Sequence, residues 1–230
     1  MLVYENVIRG IFRQRLNRFV AEAEIGGAVE RVHVRNTGRL RELLAPGAEV
    51  YLIPSRNPSA KYKYALVAVR RGGIVVNIDS LAPNAVVFEA LRRGQVKEIG
   101  TPEAVRREVA YGGSRFDLGY ERNGRTGYVE VKGVTLAKGD AALFPDAPTV
   151  RGTKHIRELI DAVENGREGV VFFLVQMKGC RRFAPHAEMD RPFADALGEA
   201  ARRGVRVLAY DARVSESSIA LGDPLPVELP

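Results

Sequence analysis

Along the first third of the chain, apolar and polar residues alternate in short runs that turn-forming residues interrupt. The runs cover Arg9 to Ile25, Val29 to Val34, Glu49 to Pro54, Tyr62 to Val69 and Gly73 to Ile78. Alternation with a period of two, bounded by Gly, Pro, Asn and Ser, predicts strands. Five such runs without a convincing helix between them match an OB-like barrel in size. Leu81-Ala82-Pro83-Asn84 then breaks the pattern. From Ala85 to Arg93 the periodicity is helical, with Asn84 placed as N-cap and Gly94 closing the run. The expected domain boundary is at about residue 82, with an OB-like barrel over 1–82 and a second domain over 83–230.

In the second domain the order becomes helix, strands, helix, strand, helix, strand. Strands are expected over Val105 to Ala110, Ser114 to Glu121, Thr126 to Thr135, Gly169 to Met177 and Val205 to Tyr210. A helix from about Thr153 to Glu164 carries Ile156, Leu159, Ile160 and Val163 on one face, and another from about Pro192 to Arg203 ends at Gly204. This is a mixed α/β domain. The tail Gly222-Asp223-Pro224-Leu225-Pro226 is expected to be too proline-rich to continue an element.

Candidate chemistry concentrates in one hairpin. Asn123-Gly124 lies between two strand-like runs, the strongest short hairpin signal. With Asn123 and Gly124 as a two-residue loop, Arg122 faces Arg125. That register sets Asp117 across from Glu130 and Arg115 across from Lys132, all four on one face. Two carboxylates so placed repel each other unless a cation lies between them. Magnesium or manganese would take Asp117, Glu130 and the carbonyl of Val131 as oxygen ligands. Lys132 would then be placed to orient a water or to offset charge developing on a phosphate. A solvated face carrying Glu-x-Lys is the bland alternative. Further on, Arg151, Lys154 and His155 open a helix behind the loop Phe144 to Thr149. Basic groups at a helix N-terminus suit a phosphate, or Thr153 simply caps the helix.

Composition narrows the function classes. With 46% hydrophobic and 27% charged residues the chain is globular in type. No apolar run approaches the ~20 residues of a membrane span, so a cytoplasmic protein that does not engage a membrane is expected. A single cysteine, Cys180, rules out an internal disulfide and a cysteine-based zinc cage. The charge of +7 is unevenly spread. Residues 1–82 hold 13 Lys and Arg against 7 Asp and Glu, while residues 83–230 hold 22 against 21. A basic first domain points to a polyanion. Arg13, Arg15, Arg18, Arg35, Arg39 and Arg41 are the candidate contacts to a DNA backbone, with Arg115 from the hairpin and Arg151, Lys154 and His155 from the second domain. Phe12 and Phe19 are either stacking platforms or core.

Several motifs occur together in order: Asn36-Thr37-Gly38-Arg39, Pro83-Asn84, Gly113-Ser114-Arg115-Phe116-Asp117, Glu130-Val131-Lys132, Phe144-Pro145-Asp146-Ala147, Thr149, Arg151-Gly152 and Lys154-His155. The set resembles the signature of the sugar fermentation stimulation protein A family across nearly the whole chain. The resemblance implies a non-specific DNA binder with a regulatory role in sugar (maltose) use. It also implies an OB-like N-terminal domain and a C-terminal domain similar to the PD-(D/E)XK restriction-endonuclease-like fold. Asp117 then matches the PD position, with Phe116 in place of the proline, and Glu130 and Lys132 match (D/E)XK. A further glutamate of that superfamily would be Glu89 or Glu108. Three functions follow as expectations: a metal-dependent DNA nuclease, an inactive nuclease fold used for DNA binding alone, and an enzyme acting on a small phosphorylated metabolite.

Overall fold

The structure is a computed structural model that describes residues 1–55, 57 and 59–230. After a short strand β1 (Leu2–Val3), the chain forms β2 (Ile8–Arg15), β3 (Val20–Ile25), β4 (Ala28–Val34), β5 (Glu49–Pro54) and β6 (Tyr64–Arg71), with β7 (Ile74–Asn77) added beside β6. β2 pairs with both β3 and β5, β3 with β4, β5 with β6, and β4 with β6 in parallel, which closes a five-stranded barrel. The run expected as one strand from Arg9 to Ile25 is a hairpin. Asn17, whose Oδ1 accepts from the Phe19 N–H, stabilises the turn that divides it. Phe12, Val32, Val50, Leu52 and Leu66 fill the barrel and are fully buried or nearly so.

The rest of the chain is an α/β domain built on a seven-stranded sheet. Its elements are α1 (Ala82–Arg92), β8 (Ala104–Tyr111), β9 (Ser114–Arg122), β10 (Arg125–Val134), β11 (Leu136–Lys138), β12 (Ala141–Phe144), α2 (Val150–Glu164), β13 (Glu168–Val175), β14 (Arg182–Pro185), α3 (Arg191–Arg202), β15 (Arg206–Val214) and β16 (Ser218–Leu225). The strand order is β1-β16-β15-β13-β10-β9-β8, with β10, β13 and β15 parallel. β13 is buried on both sides, as a central parallel strand requires. Its Val170, Phe172 and Leu174 pack on the α1 side, while Val171, Phe173 and Val175 pack on the side of α2 and α3.

Some local expectations change. Asn84 lies inside α1, whose first residue is Ala82, and it does not cap the helix. α2 begins at Val150 rather than Thr153, and Thr149 caps it by accepting from the Gly152 N–H. The proline-rich tail continues β16 as far as Leu225. Pro224 is tolerated there because β1 pairs only with Ser218 and Ile219, so the far end of β16 is a free sheet edge. The small sheet β11-β12-β14 has no signal in the alternation pattern.

Barrel and α/β domain meet through a buried polar hub. Asp79 is 1% exposed and receives the Tyr4 hydroxyl at 3.3 Å, the Leu81 N–H at 3.0 Å and the Arg35 guanidinium at 3.2 Å. Asn77 donates to Tyr4, and Gln176 donates to Asn77 at 2.8 Å and to the Asp79 carbonyl. Burial and the adjacent Asp79 push the Tyr4 hydroxyl well above its usual pKa, so it remains a donor. Glu216, in the β15–β16 turn, also reaches Arg9 and Arg70 of the barrel. These pairs are exposed enough to contribute little each.

Candidate functional site

The hairpin β9–β10 sets the site. Asn123 (φ 50°) and Gly124 (φ 70°) both adopt the left-handed region that a two-residue hairpin loop of this type needs. The expected register holds from Arg122–Arg125 to Leu118–Val129. At the next pair the ladder opens. Val105, Arg107, Leu118 and Tyr120 lie on the α1 side, whereas Val109, Tyr111 and Phe116 lie on the α2 side. Both strands therefore change face at Glu108 and Asp117, and Glu108 has a left-handed backbone (φ 54°), which is uncommon and strained for its residue type.

The change of face aims the Asp117 carboxylate into the seam between the strands. There Oδ2 accepts from the Val131 N–H at 2.8 Å, and Oδ1 accepts from Asn84 of α1 at 2.8 Å. Glu130, 3% exposed, projects to the α2 side of the sheet. Its Oε1 accepts from Lys132 Nζ at 2.6 Å and contacts His155 Nδ1 of α2 at 2.6 Å. Its Oε2 is buried and has no hydrogen-bond partner among the described residues. Burial first, and then the charge of Glu130, raise the Asp117 pKa, against the opposing pull of the Val131 N–H, Asn84 and Lys132. A buried Glu130 oxygen left without a donor can accept a cation or a proton.

The remaining candidates divide. Glu130 and Lys132 are in contact, and Asp117 approaches them through the seam rather than by the expected direct pairing with Glu130; Val131 meets Asp117 through its N–H, not its carbonyl. Arg115 does not join them: it is exposed and pairs with Glu108 at 3.8 Å. Neither candidate third carboxylate lies in the cluster, since Glu89 pairs with Arg92 and Arg93 on the surface of α1 and Glu108 is exposed beside Arg115. His155, expected to contact DNA, is instead a buried partner of Glu130, with Arg151 Nε 3.5 Å from its Nε2. Lys154 is exposed and paired with Glu158. Asn84 serves as a donor to Asp117 rather than as a cap, a role with no signature in local sequence. His155 has one, because it stands four residues before Leu159 and so on the apolar face of the helix.

In the barrel, Arg15 is a structural pin. Its guanidinium donates to the carbonyls of Asn17, Arg18, Asn36, Gly38 and Arg39, which fixes the loop after β4. Arg13 is held by Glu24 and Arg35 by Asp79. Arg18, Arg39 and Arg41 are exposed, make no ion pair among the described residues, and line a common cleft of about 440 Å³. Phe12 is core, whereas Phe19 is 51% exposed. Arg15→Ala is expected to cost roughly 2 kcal/mol of stability, because five carbonyls lose a charged donor. The Arg18→Ala/Arg39→Ala pair should leave the melting temperature unchanged. Thermal melts of both variants check this, and an unstable double variant with a stable Arg15→Ala would reverse the assignment.

Comparison with known proteins bears on the whole chain. Residues 81–218 match the family model described as "Sugar fermentation stimulation protein RE domain", and residues 14–78 match "SfsA N-terminal OB domain". A sugar fermentation stimulation protein homolog of Alkaliphilus oremlandii is 48% identical, covering 98% of each chain. One from Clostridium botulinum is 45% identical over 100% of both. A solved structure, "The structure of Pyrococcus Furiosus SfsA in complex with Ca2+", superposes with a TM-score of 0.89 at 30% identity, covering 99% of this chain and 98% of that one. No helix among the described residues is long and apolar enough to cross a membrane. With both parts of the chain matched in order and full-length relatives close to half identical, the chain belongs to the sugar fermentation stimulation protein family.

Proposed function

We propose that this protein binds DNA without sequence preference, and that its α/β domain carries a nuclease-type divalent-cation site that hydrolyses phosphodiester bonds. The observation that carries this reading is the buried Glu130 carboxylate, with one oxygen held by Lys132 and His155 and the other without a partner beside Asp117. The donor set fits a hard cation: Asp117, Glu130 and the Val131 carbonyl would hold magnesium or manganese, with water and phosphate oxygens completing the shell. A cation there supplies Lewis acidity toward a phosphate and a more acidic bound water. The protein's own groups do the rest. Asn84 and the Val131 N–H hold Asp117, His155 fixes the rotamer of Glu130, and Lys132 offers a positive charge to a phosphate oxygen. The Pyrococcus furiosus relative was solved in complex with Ca2+, which is likewise an oxygen-seeking ion. Affinity for DNA comes from the unpaired arginines of the barrel, and a role in sugar use rests on the family's name.

A second reading, binding without catalysis, has its own support. Both oxygens of Asp117 and one of Glu130 are already engaged. Among the described residues, no three or more His, Cys, Asp or Glu side chains gather as a metal-holding group. Incubation of the protein with supercoiled and single-stranded DNA in magnesium or manganese separates the two. Cleavage supports the first reading; salt-dependent binding without cleavage leaves the second. Binding that is absent at low salt or indifferent to salt removes both, and favours a small phosphorylated substrate.

Cation binding should also register in stability. Manganese is expected to raise the melting temperature at neutral pH, because a ligand that binds only the folded state stabilises it. The ion needs Asp117 ionised, and the Asp117 pKa is raised. Its effect should therefore fade on acidification at a higher pH than an ordinary aspartate would give. Melts with manganese and with EDTA across pH check this, and a manganese shift constant down to the ordinary aspartate range would contradict it.

A further inference from the structure

Between the barrel and the α/β domain lies a cleft of about 370 Å³ whose lining includes Arg18, Gly133, Phe144, Asp146 and Gln176. It is contiguous with the arginine cleft of the barrel, sharing Arg18, Thr37, Gly38 and Ala147 with it. On the other side it reaches Gly133, the residue after Lys132.

Two hydrogen-bond acceptors in this cleft are unused among the described residues. Gln176 is 1% exposed, and its Nε2 is committed to Asn77 and to the Asp79 carbonyl. Its Oε1 accepts nothing and lies against Gly133, where a Cβ would come within 2.4 Å of it. Asp146 accepts the Arg39 N–H through Oδ2 at 3.1 Å and has Oδ1 free. It lies against Gly38, where a Cβ would come within 2.6 Å. The hydrogen bonds of its Nε2 hold the Gln176 amide from the other end and keep Oε1 turned toward Gly133. Phe144, packed on Phe173 and Phe193, adds an aromatic wall.

We propose that this cleft takes one unpaired nucleotide of a DNA strand and reads the donor edge of its base, with guanine favoured. Guanine alone presents two adjacent N–H donors on its Watson–Crick edge, one for each of the two acceptors. Adenine and cytosine offer one amino group, and thymine offers a single imino N–H. The cleft lies at the small end of the range for ligand sites, the scale of a nucleotide and far from that of a duplex. Arg18, which lines both this cleft and the arginine cleft of the barrel, suits the phosphate. The inference rests on the DNA-binding reading and narrows it: binding to the backbone stays without sequence preference, a preference for guanine enters at one unpaired nucleotide only, and the substrate class is single-stranded or locally opened DNA.

Fluorescence anisotropy with labelled pentanucleotides tests it, in EDTA so that no cation occupies the acceptors. A dT pentamer is compared with pentamers carrying one dG, dA or dC at either end. The dG pentamer is expected to bind roughly tenfold tighter than dT, as a two-bond base contact allows, with dA and dC between them. Asp146→Asn keeps an oxygen for the Arg39 N–H and turns the free acceptor into a donor. It should abolish the dG advantage, so that dG and dT pentamers bind the variant equally. For the wild-type protein, dGMP should displace the labelled strand at lower concentration than dTMP, and still bind more weakly than the dG pentamer. Equal binding of dG and dT pentamers overturns the cleft assignment while leaving backbone binding intact. A dG preference that survives Asp146→Asn also overturns it, and dGMP binding as tightly as the pentamer overturns the strand as ligand. No binding of any pentamer at low salt overturns both this inference and the function on which it rests.

Discussion

Glu130→Gln is expected to reduce cation-dependent DNA cleavage on the order of a hundredfold or more, a loss larger than that from any neighbour of the carboxylates. The substitution is nearly isosteric. Its amide oxygen can still accept from Lys132 Nζ and face His155, so the local packing survives. What changes is the second position: the partnerless, buried Oε2 becomes an NH2 group that repels a cation, and the formal charge disappears. DNA affinity in EDTA should be untouched, because the exposed arginines lie in the barrel. His155→Ala removes only the group that orients Oε1 and should cost about 10-fold to 100-fold. Single-turnover nicking assays measure both, and manganese-dependent melting provides a readout that does not depend on turnover. A Glu130→Gln protein that nicks DNA at the wild-type rate would remove Glu130 from the chemistry.

The largest stability effect is expected at the hub between the two domains. Asp79→Ala leaves the Arg35 guanidinium, the Tyr4 hydroxyl and the Leu81 N–H without their acceptor in a site that is closed to water on most sides. Removing one member of a buried ion pair costs roughly 3–5 kcal/mol. Arg35 keeps a quarter of its side-chain surface, so the lower end applies. The loss should fall on the coupling between the domains. Denaturant unfolding is expected to change from one transition to two, with tyrosine fluorescence and far-UV signals no longer coincident. Asp79→Asn, which can still accept from the Leu81 N–H, should lose less. A single, unshifted transition in Asp79→Ala would mean that Asp79 does not couple the barrel to the α/β domain.

Much of this architecture could be read from periodicity. Alternation found the barrel strands and the central strands of the sheet, and Asn123-Gly124 set a register that holds as far as Leu118 and Val129. Three kinds of feature escaped. The change of face at Asp117 depends on a left-handed Glu108, a conformation that tertiary packing imposes and that glutamate itself disfavours. Arg15 resembles its neighbours in every local respect. Only the folded loop shows that its guanidinium is spent on carbonyls while Arg18 and Arg39 are free. Strand β16 was hidden by Pro224, since a proline argues against a strand until its place at a sheet edge is known. The carboxylate pair was therefore legible as a pair. Its orientation, its partners Asn84 and His155, and the lack of a third carboxylate among the described residues all depend on contacts between distant segments.

β1 has a consequence of another kind. Leu2 and Val3 pair with Ile219 and Ser218, so the chain touches the α/β sheet, leaves to build the whole barrel, and returns to build the rest of that sheet. The barrel is thus an insertion tethered at both ends. The pairings that close it all lie between Ile8 and Arg71, whereas Leu2 and Val3 pair more than two hundred residues away. Its position on the sheet is therefore fixed from two sides, by that short strand and by the Asp79 hub.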